Sequence, residues 1–196
     1  MRAEVKRRAD LVEATIHEIG ETGTLNVTVG QIARRAGVSS ALAFHYFGDK
    51  EKLFLAAMRY VLTVYGAEVR GGLAAATDAR GRVEALIRAS FGPTNFRRDV
   101  IAAWLNFYVL AQTSDEAQRL LRLYHRRLHS NLVQALRPLL GERALPAARR
   151  LAALIDGLYL RCALETEALD GKMAAREMHA ALDAEIAAAG RSDQRR

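Results

Sequence analysis

Proline occurs at only three positions of this chain, 93, 138 and 146, and elsewhere alanine, leucine and arginine recur at helical spacing. Proline removes a backbone donor and fixes φ, so its scarcity leaves long helices unobstructed, and those three residue types are strong helix formers. No period-two alternation of useful length competes with them, so the chain is all-α. In the first helix Ala9, Val12, Ile16 and Ile19 share one face at spacings of three and four, and Gly20 and Gly23 end it. The same reading places helices near 3–20, 29–36, 40–46, 50–76, 80–91, 97–112, 115–140, 146–166 and 172–188. The first three are short and tightly punctuated, and those after Asp49 are longer. This predicts a three-helix, helix-turn-helix module over 1–49, a helical bundle over 50–190 and a flexible tail over 191–196.

Half of the residues are apolar, which excludes a disordered polycation despite a formal charge of +7. That charge is unevenly placed. Residues 117–150 carry eight arginines against Glu142 alone, whereas residues 1–52 are nearly neutral. Arginines such as Arg119, Arg122 and Arg126 therefore form a solvated face or serve dimer or steering roles. A single cysteine, Cys162, excludes an internal disulfide framework and a multi-cysteine zinc site, and fits a reducing, cytoplasmic compartment. The N-terminus lacks the apolar run of a signal peptide, and the most apolar stretches, 100–111 and 151–164, are too short to span a bilayer. No membrane partner is expected.

An enzyme finds little support, because no Gly-rich phosphate loop, nucleophile elbow or metal-binding helix motif is present. His125 and His129 are four apart, but no third ligand is indicated and Arg126 and Arg127 would repel a cation, so neither a metal nor a cofactor is expected.

The informative run is 27–50. Thr28 with Gln31 makes a capping box, Val27 and Ile32 add a hydrophobic staple, Gly37 ends that helix in the left-handed region and Ser39 caps the next. The pattern is helix, tight turn, short helix. A short second helix suits a major-groove probe, whose N-terminal residues must reach base edges. Ile32, Ala33 and Ala36 would lock the first helix and Leu42 anchor the second, leaving Arg34, Ser40, Ala41 and His45 outward. Tyr46 and Lys50 flank the probe with a hydroxyl and a cation suited to phosphate oxygens, and the amides opening the fourth helix offer another anion site. An ordinary αα-corner in a helical protein would carry the same caps and glycines, and a protein-binding adaptor would use the same bundle without needing Ser39, Tyr46 and Lys50 together.

The segment Thr28 to Lys50, with its Gln-Ile-Ala-x-x-Ala-Gly-Val-Ser core and its His-Tyr-Phe-x-x-Lys ending, resembles the DNA-binding domain of the TetR family of transcriptional repressors. The resemblance implies a two-fold dimer that sets one short helix of each subunit in a major groove of a palindromic operator. Carried onto this sequence, Thr28 and Tyr46 would bind phosphate, Ser39, Ser40 and His45 would lie at the groove, and Lys50 would fix the backbone. The basic N-terminal residues Arg2, Lys6, Arg7 and Arg8 either reach DNA or form a solvated helix start.

The stretches 102–108, 126–132 and 151–161 resemble the BetI repressors, which implies control of choline-to-glycine-betaine genes with choline as the signal. Trp104, Phe107 and Tyr108 stand at i, i+3 and i+4, and Asp156 and Tyr159 cluster on another helix. Aromatic faces attract a quaternary ammonium by roughly 0.5–2 kcal/mol per contact, and a carboxylate strengthens the site. The small cationic ligand would therefore be held by Trp104, Tyr108, Asp156 and Tyr159, unless the rings are ordinary core. An ionised Asp156 on an apolar helix needs a partner, either a ligand cation or an arginine across a dimer seam. Helices 146–166 and 172–188 resemble the family's dimerisation pair, which assigns Leu151, Ile155, Leu158 and Leu182 to the homodimer interface.

Overall fold

The computed structural model describes residues 2–164 and 171–193, and they form helices α1 (Arg2–Thr22), α2 (Val29–Arg35), α3 (Ser40–Phe47), α4 (Lys50–Ala75), α5 (Ala79–Phe91), α6 (Arg98–Leu110), α7 (Asp115–Leu140), α8 (Ala144–Leu164) and α9 (Gly171–Asp193). A 3-10 turn, Gly141–Arg143, separates α7 from α8, and the described residues contain no strand. The expected last turn of the eighth helix, 165–166, lies outside the described residues. Helix α9 continues to Asp193, three residues into the segment read as a tail, whose remainder, 194–196, also lies outside them. No helix among the described residues is long and apolar enough to cross a membrane.

The chain divides into two compact units, Met1–Thr63 with Arg97–Leu121, and Val64–Phe96 with Arg122–Arg196. Both α4 and α7 contribute residues to each. In the first unit α6 packs on α1, and the first half of α4 belongs with them.

In the first unit Leu11, Ile16 and Ile19 of α1, Ile32 of α2, Leu53, Leu55 and Met58 of α4 and Phe107 of α6 are fully buried. Each such side chain contributes roughly 1.5–3 kcal/mol of burial. Gly20 does not stop α1, which runs on to Thr22 before Gly23 turns the chain at φ 68. It is instead the point of closest approach to α6: a Cβ there would lie 2.5 Å from the Cα of Asp99. Around this contact His17 Nδ1 lies 3.3 Å and Arg97 Nε 3.1 Å from the Asp99 carboxylate, and Asn106 Nδ2 donates to Gly23 O at 3.2 Å.

In the second unit Val83 and Leu86 of α5, Leu128, Leu132 and Leu136 of α7, Leu151 and Ile155 of α8, and Met178 and Leu182 of α9 form the core. Two of the concentrated arginines hold α9. Arg150 grips Glu185 with two hydrogen bonds, 2.5 and 2.7 Å, and Arg143 donates to Ala188 O of the same helix.

Candidate functional site

Two short helices at a tight corner are marginal by themselves, and here local caps supply what length does not. Thr28 accepts from Gln31 N at 3.2 Å while Gln31 Oε1 accepts from Thr28 N at 2.7 Å, completing the capping box. Gly37 adopts φ 66, a left-handed conformation that costs a side-chain-bearing residue about 1–2 kcal/mol, and so turns the chain after α2. Ser39 then caps α3 by accepting from Leu42 N at 3.2 Å. Arg35 ties α2 back to α1 through Glu18, at 2.6 Å, and Glu21.

Along α3 the exposed residues are Ser40, Ala41, Phe44 and His45, while Ala43 is fully buried and Leu42, Tyr46 and Phe47 are half-buried. Ala43, rather than Leu42, is thus the deepest anchor of this helix. Arg34 is exposed on the last turn of α2. The Thr28 hydroxyl already donates to Gln31 Oε1 at 2.9 Å, so a phosphate oxygen must compete for that proton. Lys50 Nζ donates to Leu25 O at 2.9 Å, which pins the start of α4 to the α1–α2 loop and leaves two of its N–H groups for an anion.

The free anion site expected at the amides opening α4 is absent. The Asp49 carboxylate occupies it, accepting from Lys52 N at 2.8 Å and lying 3.0 Å from Lys52 Nζ. These contacts, the backbone N–H first, hold the Asp49 pKa below its ordinary value. The first residues are helix from Arg2 onward. Within them the Arg8 guanidinium stands 5.0 Å from the Tyr46 ring centre and 5.6 Å from that of Phe47, a cation–π contact that brings positive charge to the edge of α3. Spacing alone gives no sign of this pairing.

Of the residues read as a ligand box, Trp104 and Tyr108 belong to the first unit and Asp156 and Tyr159 to the second. Trp104 is buried, 5.8 Å from both Phe107 and Tyr108, and Phe107 meets Phe54 at 6.4 Å, so these rings form an aromatic core. In the second unit Tyr159 is buried between Phe91 and Phe96, with ring centres at 5.9 and 5.0 Å, and its hydroxyl donates to Ser90 O at 2.5 Å. Asp156 is about one-third exposed, with His125 Nε2 at 3.7 Å. Tyr65 and Tyr124, neither singled out from the sequence, stack edge-on at 5.9 Å. Burial pushes the Tyr65 hydroxyl pKa up, against the Ser90 hydrogen bond, and the Asp156 carboxylate adds to the rise. Asp156 is therefore within electrostatic reach of an aromatic group. One turn along α7 from His125, His129 Nε2 is buried without a hydrogen-bond partner. Among the described residues no cluster of His, Cys, Asp and Glu is arranged for a metal ion.

Leu151, Ile155, Leu158 and Leu182, read as dimer contacts, are each buried within the single chain, between 0% and 8% exposed. In the single chain they pack α8 and α9 into their own unit. Apolar periodicity finds a buried stripe but does not say whether it faces its own chain or another. The outer face of α8 carries Ala153, Leu160 and Leu164, with Leu160 47% and Leu164 72% exposed, and α9 adds Met173 and Ala180.

Residues 11–57 match the model for bacterial regulatory proteins of the tetR family, and residues 79–189 match the C-terminal domain of BetI-type transcriptional repressors. The chain is 50% identical over 169 residues to the HTH-type transcriptional regulator BetI of Brucella melitensis, covering 86% of this chain and 85% of that one. It is 48% identical over 161 residues to BetI of Rhizobium meliloti, covering 82% and 79%. Among solved structures, a transcriptional regulator from Pseudomonas aeruginosa PAO1 superposes with a TM-score of 0.77 at 28% identity, over 94% of this chain and 92% of that one. A Saccharomonospora viridis regulator in complex with choline shares the fold, with a TM-score of 0.81 at 22% identity over 90% and 95%. These relatives are regulators, not enzymes.

Proposed function

Because the chain belongs to the TetR family of bacterial regulators and carries a BetI-type repressor C-terminal domain, we propose that it binds a palindromic operator as a homodimer and that choline loosens its hold. The observation that carries the DNA reading is the capped α2–α3 corner, which turns a short arc of Ser40, Ala41, Phe44 and His45 outward. Arg34, Tyr46 and Lys50 flank that arc, and with Thr28 and Ser39 they supply the polar groups for neighbouring phosphates.

Two such helices must stand about 34 Å apart to meet successive major grooves, which requires two copies. The outer faces of α8 and α9, with Leu160, Leu164 and Met173 between 45% and 72% exposed, give a second copy an apolar surface. A ligand that binds better to a conformer with the wrong spacing would shift the dimer off DNA.

The proposed cation site lies in the second unit, where Asp156 supplies charge beside the Tyr65 and Tyr124 rings, with Tyr159 one turn along α8 from Asp156. A quaternary ammonium cannot donate an N–H hydrogen bond, so ring faces and a carboxylate are the chemistry that recognises it. The choline reading takes its support from the BetI relatives and from the choline complex of the Saccharomonospora viridis regulator.

Calorimetry with choline and a gel shift on the DNA upstream of the chain's own gene test this together. Wild type should bind choline and release the duplex as choline is added. Asp156→Asn should bind the duplex normally and release it only at higher choline. Unchanged choline affinity in the folded variant removes Asp156 from the site, and a shift insensitive to choline, betaine aldehyde and betaine removes the ligand class.

A further inference from the structure

At about 100° per residue, the four exposed residues of α3 span an arc of about 140°, in the order Ser40, Phe44, Ala41 and His45. The polar side chains stand at its edges. Its centre is apolar, with Phe44 49% exposed and, among the described residues, without a ring contact to another aromatic residue. A helix that read bases by hydrogen bonds alone would place donors and acceptors there. Instead the chain holds a large ring in water at the middle of the surface that the operator reading sends into the groove. In the major groove the apolar mark on a base edge is the C5-methyl of thymine, which cytosine lacks and which Ala or Phe contacts directly.

Resting on the operator-binding reading above, we propose that Phe44, backed by Ala41, recognises a thymine methyl in each half-site, so that sequence selection at that step is apolar. Ser40 and His45 are left to the flanking base edges. The neighbours of Phe44 favour this role: Ala41 adds a methyl-sized contact and nothing that would hold water, and Ser40 is too short to screen the ring.

The test uses the full-length protein and a duplex it selects from a random-sequence pool. Each thymine in the selected site is replaced singly by deoxyuridine, which removes the methyl and leaves base pairing intact. Wild type should lose about fourfold in affinity at one thymine per half-site, corresponding to the roughly 0.8 kcal/mol of one buried methyl-sized group, and about fifteenfold when both half-sites are changed. Phe44→Ala should bind the thymine and uracil duplexes alike, and Phe44→Leu, which keeps an apolar tip, should retain part of the difference. Circular dichroism melting of both variants confirms that the exposed position leaves the fold intact. A wild type indifferent to every thymine methyl, or a Phe44→Ala protein that keeps the full uracil penalty, overturns this inference alone. Failure to select any duplex overturns the operator-binding reading with it.

Discussion

Two glycines in helices of this chain should respond to alanine with opposite signs. Gly20 lies inside α1 against α6, where an added Cβ would sit 2.5 Å from the Asp99 Cα. Carbon atoms in contact stand about 3.5–4.0 Å apart, so α1 and α6 must separate by more than an ångström, and no side-chain rotation relieves a clash with backbone. Overpacking of this kind costs about 1–3 kcal/mol, with a rigid backbone neighbour at the upper end. The alanine recovers about 1 kcal/mol of helix propensity, leaving Gly20→Ala about 2 kcal/mol less stable. At this chain length that is a fall in Tm of about 4–8 °C. Gly71 lies in α4 with nothing within 4 Å of an added Cβ, so Gly71→Ala should gain about 1 kcal/mol. Urea unfolding followed by circular dichroism measures both. Equal stabilisation by the two substitutions would refute the claim that Gly20 is a contact glycine.

Arg35→Ala should lower Tm more than Glu21→Ala and weaken operator binding in a gel shift, because it strands Glu18, 12% exposed, whereas Glu21 is 63% exposed and can be solvated. The Arg150 hydrogen bonds hold the Glu185 pKa below its ordinary value, against burial. That pair's stability is present above the unfolded glutamate pKa of about 4.3 and is lost as pH falls through the lower folded value. Arg150→Ala should therefore destabilise the protein in urea titrations at pH 7 and converge with wild type once the pH has fallen below the folded-state value. Leu160→Asp should leave the protomer folded, as judged by circular dichroism, and abolish the proposed dimer in sedimentation velocity, since Leu160 is 47% exposed on the outer face of α8.

The corner that carries the DNA reading was legible because its determinants are local. Thr28 and Gln31 are three residues apart, Gly37 needs only its own φ, and Ser39 reaches Leu42 within one turn. What escaped depends on groups distant in sequence. Gly20 reads as a helix end until Asp99 is brought against it. Tyr65 and Tyr124 are 59 positions apart, and their ring contact leaves no trace in either segment. Leu151, Ile155, Leu158 and Leu182 show the periodicity of a buried face, but the same periodicity serves a protomer core and a dimer seam. At the start of α4 the local sequence misleads in another way: an aspartate just before a helix is itself the anion that its N-terminus attracts, so Asp49 closes the site its neighbouring amides would offer.

The central claim is that α3 of each of two subunits enters a major groove of one operator. Hydroxyl-radical footprinting of the region upstream of the chain's own gene tests it most directly. Two protected patches are expected on one face of the duplex, related by a palindrome, with centres one helical turn or a whole number of turns apart, and with both lost in Phe44→Asp. Uniform protection without a preferred site, or a single protected patch unaffected by that substitution, would contradict it.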